Sequence, residues 1–224
     1  MTFNPFVAGL SPVQGGIPLF IQFKLSHYLK RANAKECKSG HFSTPYYRMH
    51  IRPKRHSKQH ELLLDLENLG NEVYYSAPAF HEPVELNDAY LKKQVKNMSL
   101  WVKPTDIGTI TDYEEHYLVF QLPNTWFFCS KPKTIERDLS FLTFSENINN
   151  SLNQRQETAL TKDSLRKLAM NLAKIGRKRT DIFLEEDVLT EEVLSNQHPI
   201  EMGSYYSSIY LDSQLIILQK ASEI

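Results

Sequence analysis

Ile17-Pro-Leu-Phe-Ile-Gln-Phe-Lys-Leu25 is the stretch on which the reading of this chain turns. A short apolar run rich in Ile and Phe predicts a buried or half-buried strand over 17–25. Two polar side chains interrupt it, Gln22 and Lys24, two positions apart. Side chains at that spacing on a strand share a face. Behind this strand the chain turns basic. From Lys24 to Lys58 there are ten Lys or Arg and a single acid, Glu36, and His27, His41, His50, His56 and His60 lie in or beside the same block.

The whole chain, 224 residues, balances 26 basic against 26 acidic side chains. Its global field therefore predicts no polyanion partner, while the local basic block predicts contact with phosphates. Outside the block the remainder is net acidic. Cys37 and Cys129 are the two cysteines, too few for a disulfide scaffold, so a reducing compartment is expected. No long apolar run predicts a membrane span. The stretch 1–16 lacks the charged start and apolar core of a signal peptide. The expectation is a cytoplasmic protein with no membrane partner.

Outward from the opening strand, 26–35 reads as a short basic helix or a loop. Pro45 to Ile51 alternates Tyr47, Met49 and Ile51 with Tyr46, Arg48 and His50, which predicts a strand with one basic face. Ser57 is placed to cap a helix carrying Leu62, Leu63, Leu66 and Leu69, with Gly70 just past its end. A strand over 73–78 follows. Next comes a helix over 83–94 with Leu86, Tyr90 and Leu91 expected on its buried side. Strands are predicted over 98–103, 117–122 and 126–130, with a turn over 106–111. The stretch 141–161 is polar, and its Asn147-Ile-Asn-Asn-Ser151 run reads as exposed. Leu165, Leu168, Leu172 and Ile175 form one helical stripe, with Gly176 expected to cap it. Residues 181–193 read as acidic and partly helical, and 209–218 as a late apolar strand. The fold expected is α/β or α+β, a central mixed sheet flanked by helices. The division expected is an α/β core over 1–135 with a basic insertion, then a helical, acidic part over 136–224.

Gln22 and Lys24 are the first chemical candidates. An oxygen donor on such a strand can help hold a divalent cation, and a lysine two residues on can orient water near a phosphate. The plainer alternative is a strand end where Lys24 lays its stem along apolar neighbours. The phosphate candidates are Arg48, Arg52, Lys54, Arg55, His56 and Lys58, where cations precede the free amides of a helix start. Tyr46 and Tyr47 are placed to stack on bases if exposed, or to fill the core. Glu61 and Asp65 are four apart on one helix face, where they either reach a sheet end or simply solvate an amphipathic helix. Cys37 and His41 have metal-like spacing, though one Cys with scattered His is a weak zinc pattern. His81 and Glu82 follow a strand end, where they line a site or simply enter the next helix. The chain has no phosphate-binding Gly-Lys-Ser loop and no dinucleotide fingerprint.

Phe20-Ile-Gln-Phe-Lys-Leu25 resembles the third core strand of the PD-(D/E)XK, or restriction-endonuclease-like, superfamily. In that family a strand carrying Glu-x-Lys or Gln-x-Lys precedes a helix and another strand, roles open here to 58–69 and 71–76. The run 17–108 is also similar in character to uncharacterised bacterial proteins near defence genes. The resemblance implies Mg²⁺ held by Gln22 with an acid such as Glu61, Lys24 positioning water, and a nucleic acid as partner. Two departures stand out: the family places an Asp upstream, and no acid occurs before Glu36; the family also has an N-terminal helix, and the loop-like stretch 1–16 cannot supply both helix and hairpin. Three alternatives follow. The sequence starts late in a longer product, the acid comes from elsewhere, or the fold differs. The functions expected are a nucleic-acid-binding protein of nuclease-like fold, with or without Mg-dependent phosphodiester hydrolysis, or an inactive structural or regulatory component of a defence or mobile-element complex with a protein partner.

Overall fold

The computed structural model describes residues 13–14, 16–31, 33, 35–38, 43–122, 125–128, 133–135, 137–155, 159–178 and 198–220. The expected acidic helix over 181–193, Cys129, His41 and most of the N-terminal loop lie outside these residues. So do the side chains of Trp126 and Phe127. The fold is mixed α and β. Two compact units share the chain, each built from separated stretches. Unit one draws on Met1–Gln22, Ser57–Val73 and Asn147–Ile224; unit two draws on Phe23–His56 and Tyr74–Glu146.

In chain order the elements begin with β1 (Val13–Gln14), β2 (Ile17–Phe23), β3 (Ser26–Leu29), α1 (Lys35–Lys38), β4 (Tyr46–Ile51) and α2 (Gln59–Asn68). They continue with β5 (Glu72–Pro78), α3 (Pro83–Leu91), β6 (Ser99–Val102), α4 (Pro104–Ile107), β7 (His116–Gln121), β8 (Thr125–Phe128) and β9 (Lys133–Thr134). The last are α5 (Phe141–Gln154), β10 (Ala159–Leu160), α6 (Lys162–Gly176), α7 (Pro199–Leu211) and β11 (Gln214–Leu218). Among the described residues no helix is long and apolar enough to cross a membrane.

In unit one the expected opening strand is β2, buried from Ile17 through Gln22. It pairs antiparallel with β11, Ile21 opposite Gln214 and Ile17 opposite Leu218. The late apolar run thus serves as two elements, the end of α7 and then β11. The break falls at Asp212, whose left-handed φ of 45° stops the helix. Against expectation α2 starts after Lys58, while the Ser57 hydroxyl accepts the Gln59 N–H at 3.2 Å. Leu62, Leu63 and Leu66 are buried, and Gly70 follows the helix at φ +84°. The Thr161 hydroxyl caps α6 by accepting the Ser164 N–H at 3.1 Å. Leu165, Leu168, Leu172 and Ile175 are buried as the stripe predicts.

Gly176 does not cap α6; it is the last residue of that helix and is buried. A Cβ there would land on the ring of Tyr210 in α7. The glycine is needed for close approach, so the α6–α7 contact is set by the absence of one side chain. Tyr206 and Tyr210 stack along α7 with centroids 5.9 Å apart.

In unit two, β3, β4, β7, β8 and β9 form a five-stranded antiparallel sheet in that order. The basic helix or loop expected over 26–35 is strand β3 at its start, because Ser26 to Leu29 pairs with Met49 to Tyr46. Four residues are too few for periodicity to separate helix from strand. In the same unit β5 pairs antiparallel with β6, Tyr75 opposite Val102. Trp101 of β6 stacks on Phe144 at 4.4 Å, and Tyr74 meets Phe144 edge-on at 4.8 Å.

Two further expectations fail here. The polar stretch after Phe141 is helix α5, which begins in unit two and ends in unit one. Phe144, Ile148 and Leu152 repeat every fourth residue and are buried, while the intervening Asn149 and Asn150 face solvent. In α3 the buried residue is Ala89; Leu86, Tyr90 and Leu91 are 41%, 73% and 79% exposed.

Replacing Gly176 by Ala is expected to lower stability by about 2 kcal/mol, since the added methyl meets an aromatic ring with no room to yield. Urea denaturation of the two chains measures this. A loss under about 0.5 kcal/mol would contradict the close approach.

Candidate functional site

Gln22 and Lys24 are held by different units. Gln22 is 2% exposed, and its Nε2 donates to the Leu211 carbonyl at 3.2 Å. Gln59, 3% exposed, donates to the same carbonyl at 3.0 Å and to the Asp212 carboxylate at 2.7 Å. Two buried amides thus serve one helix-end carbonyl that has no partner within its own helix. Lys24 belongs to unit two. Its backbone N–H donates to the Ser76 carbonyl at 2.8 Å, and its Nζ lies 5.8 Å from the Tyr75 ring centroid.

Mg²⁺ prefers an octahedral oxygen shell containing one or two carboxylates. Glu61 is exposed on α2, and Asp65 pairs with Lys178 at 2.6 Å. Asp212, which sequence reasoning did not single out, is the carboxylate bonded into the glutamine network. Among the described residues no group of three or more His, Cys, Asp or Glu could hold a metal ion. Gln22 Oε1, the atom a cation would use, is buried with no hydrogen-bond partner among the described residues, while Glu61, the carboxylate of the expected pair, is exposed.

The basic residues of unit two are arranged in two ways. Arg48 and His50 share one face of β4, as the alternation predicts. Both sit on Tyr117 of β7, Arg48 at 4.3 Å from the ring centroid and His50 stacked at 5.1 Å. Glu115 accepts from His50 Nε2 at 2.6 Å and from Arg55 at 3.3 Å. Desolvation pushes the Glu115 carboxyl up. The bonds and charges of His50 and Arg55 outweigh it and hold the group below the usual carboxylate range. One carboxylate, 65 residues from His50 in sequence, therefore partly neutralises the patch. Nothing in the sequence marks Glu115 for this.

The turn after β4 is arranged differently. His56 N–H donates to the Pro53 carbonyl at 2.9 Å, and Pro53 and Ser57 are buried. Arg52, Lys54, Arg55 and His56 between and beside these anchors are exposed; Lys58 is half-buried and belongs to unit one. Within unit two the turn, closed by the His56–Pro53 bond, carries four exposed basic side chains.

Of the two tyrosines proposed as base platforms, Tyr46 is core, packed with Val119, Leu29 and Tyr117. Tyr47 joins a cluster with Tyr28, His81 and Glu85. Tyr28 stacks on His81 at 3.8 Å, and the Tyr47 hydroxyl lies 3.2 Å from His81 Nδ1. Glu85 Oε2 lies 3.0 Å from the same nitrogen and also accepts the His81 N–H at 2.7 Å. Nδ1 thus faces two partners with opposite demands. Protonated, it donates to Glu85; unprotonated, it accepts from Tyr47. Desolvation, with smaller effects from Glu85 and Tyr28, pushes the Tyr47 hydroxyl up to about 12, so it keeps its proton.

Comparison with protein-family models, curated proteins and solved structures finds no match.

Gln22→Glu is expected to cost about 3 kcal/mol, because a carboxylate would be buried against the Leu211 carbonyl. Added Mg²⁺ should restore none of this in a denaturant titration; recovery with the ion would show a metal site. Glu85 gives a pH test. The backbone N–H of His81 foremost, then that of Glu82 and the nearby cations, hold its carboxyl below the ordinary range against desolvation. Its stabilisation is therefore full above the ordinary carboxylate pKa and is lost as pH falls through the folded value. Glu85→Gln should lower the melting temperature at neutral pH and flatten the acid limb of its pH profile. Parallel profiles for the two chains would refute the assignment.

Proposed function

We propose that this chain binds nucleic acid through phosphate contacts made by unit two. The observation that carries the reading is the anchored turn holding Arg52, Lys54, Arg55 and His56 in solvent. Cations on a closed turn contact phosphates with less side-chain and backbone ordering than cations on a loose loop. Arg48 and His50 extend the surface along β4. Tyr117, with these two residues packed on it, positions them; it is not a base platform in this reading. Glu115 acts as an internal competitor for phosphate, so binding through Arg55 exchanges one anion for another.

With β3, α1 and β4 taken as a basic insertion, the order strand 17–23, helix 59–68, strand 72–78 is the one the resemblance implies. It supports a nuclease-like scaffold as part of the proposal. Hydrolysis is left out, because among the described residues no group of three or more His, Cys, Asp or Glu could hold the cation it needs. Binding without cleavage suits a non-catalytic component of a larger assembly with a protein partner.

Fluorescence anisotropy with labelled single- and double-stranded oligonucleotides at several salt concentrations tests the reading. The expected result is binding that weakens steeply with salt. Removing Lys54 should shallow the slope of log K against log salt by about 1, uniformly across sequences. Glu115→Gln should tighten binding about three- to tenfold at low salt by releasing His50 and Arg55. Absent or salt-independent binding, or no change on replacing all four turn residues by Ala, would overturn the proposal.

A further inference from the structure

We propose that unit two also carries a binding site for a small amphipathic anion, an apolar body ending in one carboxylate-like head. The site is a cavity of about 680 Å³, lined wholly by unit-two residues and far from empty of chemistry. That volume lies within the roughly 300–1,000 Å³ typical of small-molecule pockets. Its walls are mainly apolar, among them Phe23, Leu25, Phe80, Tyr90 and Trp101. Phe23, Leu25 and Tyr90 are 57%, 85% and 73% exposed, so large apolar surface is left against open space. The Trp101 Nε1–H is already given to the Lys96 carbonyl at 2.9 Å, so the indole offers a ligand only its ring.

Charge selects the ligand's head. Lys24, Lys93 and Lys96 line the cavity, and no Asp or Glu is among its described lining residues. Lys24 and Lys96 lie over the rings of Tyr75 and Phe141, at 5.8 and 4.5 Å. Those contacts give each of the two ammonium groups an aromatic neighbour outside the cavity's lining residues.

Lys93 is the most telling. Helix α3 ends in a Schellman arrangement, with Lys93 N–H bonded to the Tyr90 carbonyl and Gln94 N–H to the Ala89 carbonyl. The residue in the left-handed position of that motif is usually glycine. Here it is Lys93, at φ 56°. A side chain kept where the backbone favours none is a strained choice, and it places a third cation on the cavity. This inference is independent of the nucleic-acid reading, which uses other residues.

The test titrates dodecanoate into the full chain carrying Trp126→Phe, so that Trp101 is the one tryptophan reporting. Calorimetry supplies the stoichiometry. The expected result is saturable uptake of one dodecanoate per chain with a change in Trp101 emission. Neutral dodecanol should bind about tenfold more weakly, as loss of the charged contacts implies. Lys93→Gly should weaken dodecanoate binding about three- to tenfold while leaving the melting temperature unchanged or raised, since it relieves the left-handed strain. A side chain with only a structural role would not give those opposite signs. Lys96→Met should weaken binding without changing the fold's circular dichroism. Equal affinity for dodecanoate and dodecanol would overturn the proposal, as would unaltered binding by both lysine variants. So would no uptake at all, or a dimer in sedimentation that Leu25→Glu disrupts and dodecanoate does not affect.

Discussion

The Leu211 carbonyl is the constraint around which unit one is organised. It is the last acceptor of α7, and Leu211 is fully buried. A buried carbonyl without a donor costs on the order of 1–3 kcal/mol. Its own helix supplies none, because Asp212 turns left-handed and the chain departs into β11. The donors come from Gln22 at the end of β2 and Gln59 at the start of α2. Ser213 N–H and Asp212 N–H close the corner on the carbonyls of Ser207 and Ser208. Three segments far apart in sequence meet at one oxygen. Once they do, β11 is aimed along β2 and α7 is brought against α6, where Gly176 makes room for Tyr210.

This arrangement explains why the sequence was partly legible. The Ile17 strand and the leucine stripes of α2 and α6 carry patterns long enough to identify them. Helix α5 hid because its buried residues are separated by Asn and Ser, which weight a composition reading toward loop. Helix α7 hid because Gly203, its serines and its tyrosines obscure the period. A Cβ at Gly203 would come within 2.9 Å of the Leu215 Cδ2, the far end of a flexible side chain. Strand β3, four residues long, was too short to identify without its partner. At the candidate site, the residue types at 22 and 24 were readable, but the bond that employs Gln22 spans 189 positions. Glu115 and Asp212 enter their networks in the same way, through contacts that no local pattern encodes.

Unit two has a different logic. Its five-stranded sheet uses one face for aliphatic core, with Met49, Ile51 and Leu118 fully buried. The other face carries Arg48 and His50 on Tyr117, and the anchored turn continues the positive surface. The cavity at β5, β6 and the end of α3 draws on separate residues and separate lysines. The basic character visible in the sequence is thus divided in the fold. Part is neutralised by Glu115, part is held in solvent, and part lines the cavity.

The central claim is that the Gln22 Nε2 holds the Leu211 carbonyl whether or not a divalent cation is present. Its side-chain amide signals in a ¹⁵N-correlated NMR spectrum report on this directly when Mn²⁺ is added. The account predicts that the Gln22 and Gln59 Nε2 protons stay sharp and slow to exchange, since both are buried and bonded to Leu211. Loss of the slow exchange at Gln22 when Mn²⁺ is added would show the bond to Leu211 given up and contradict the account.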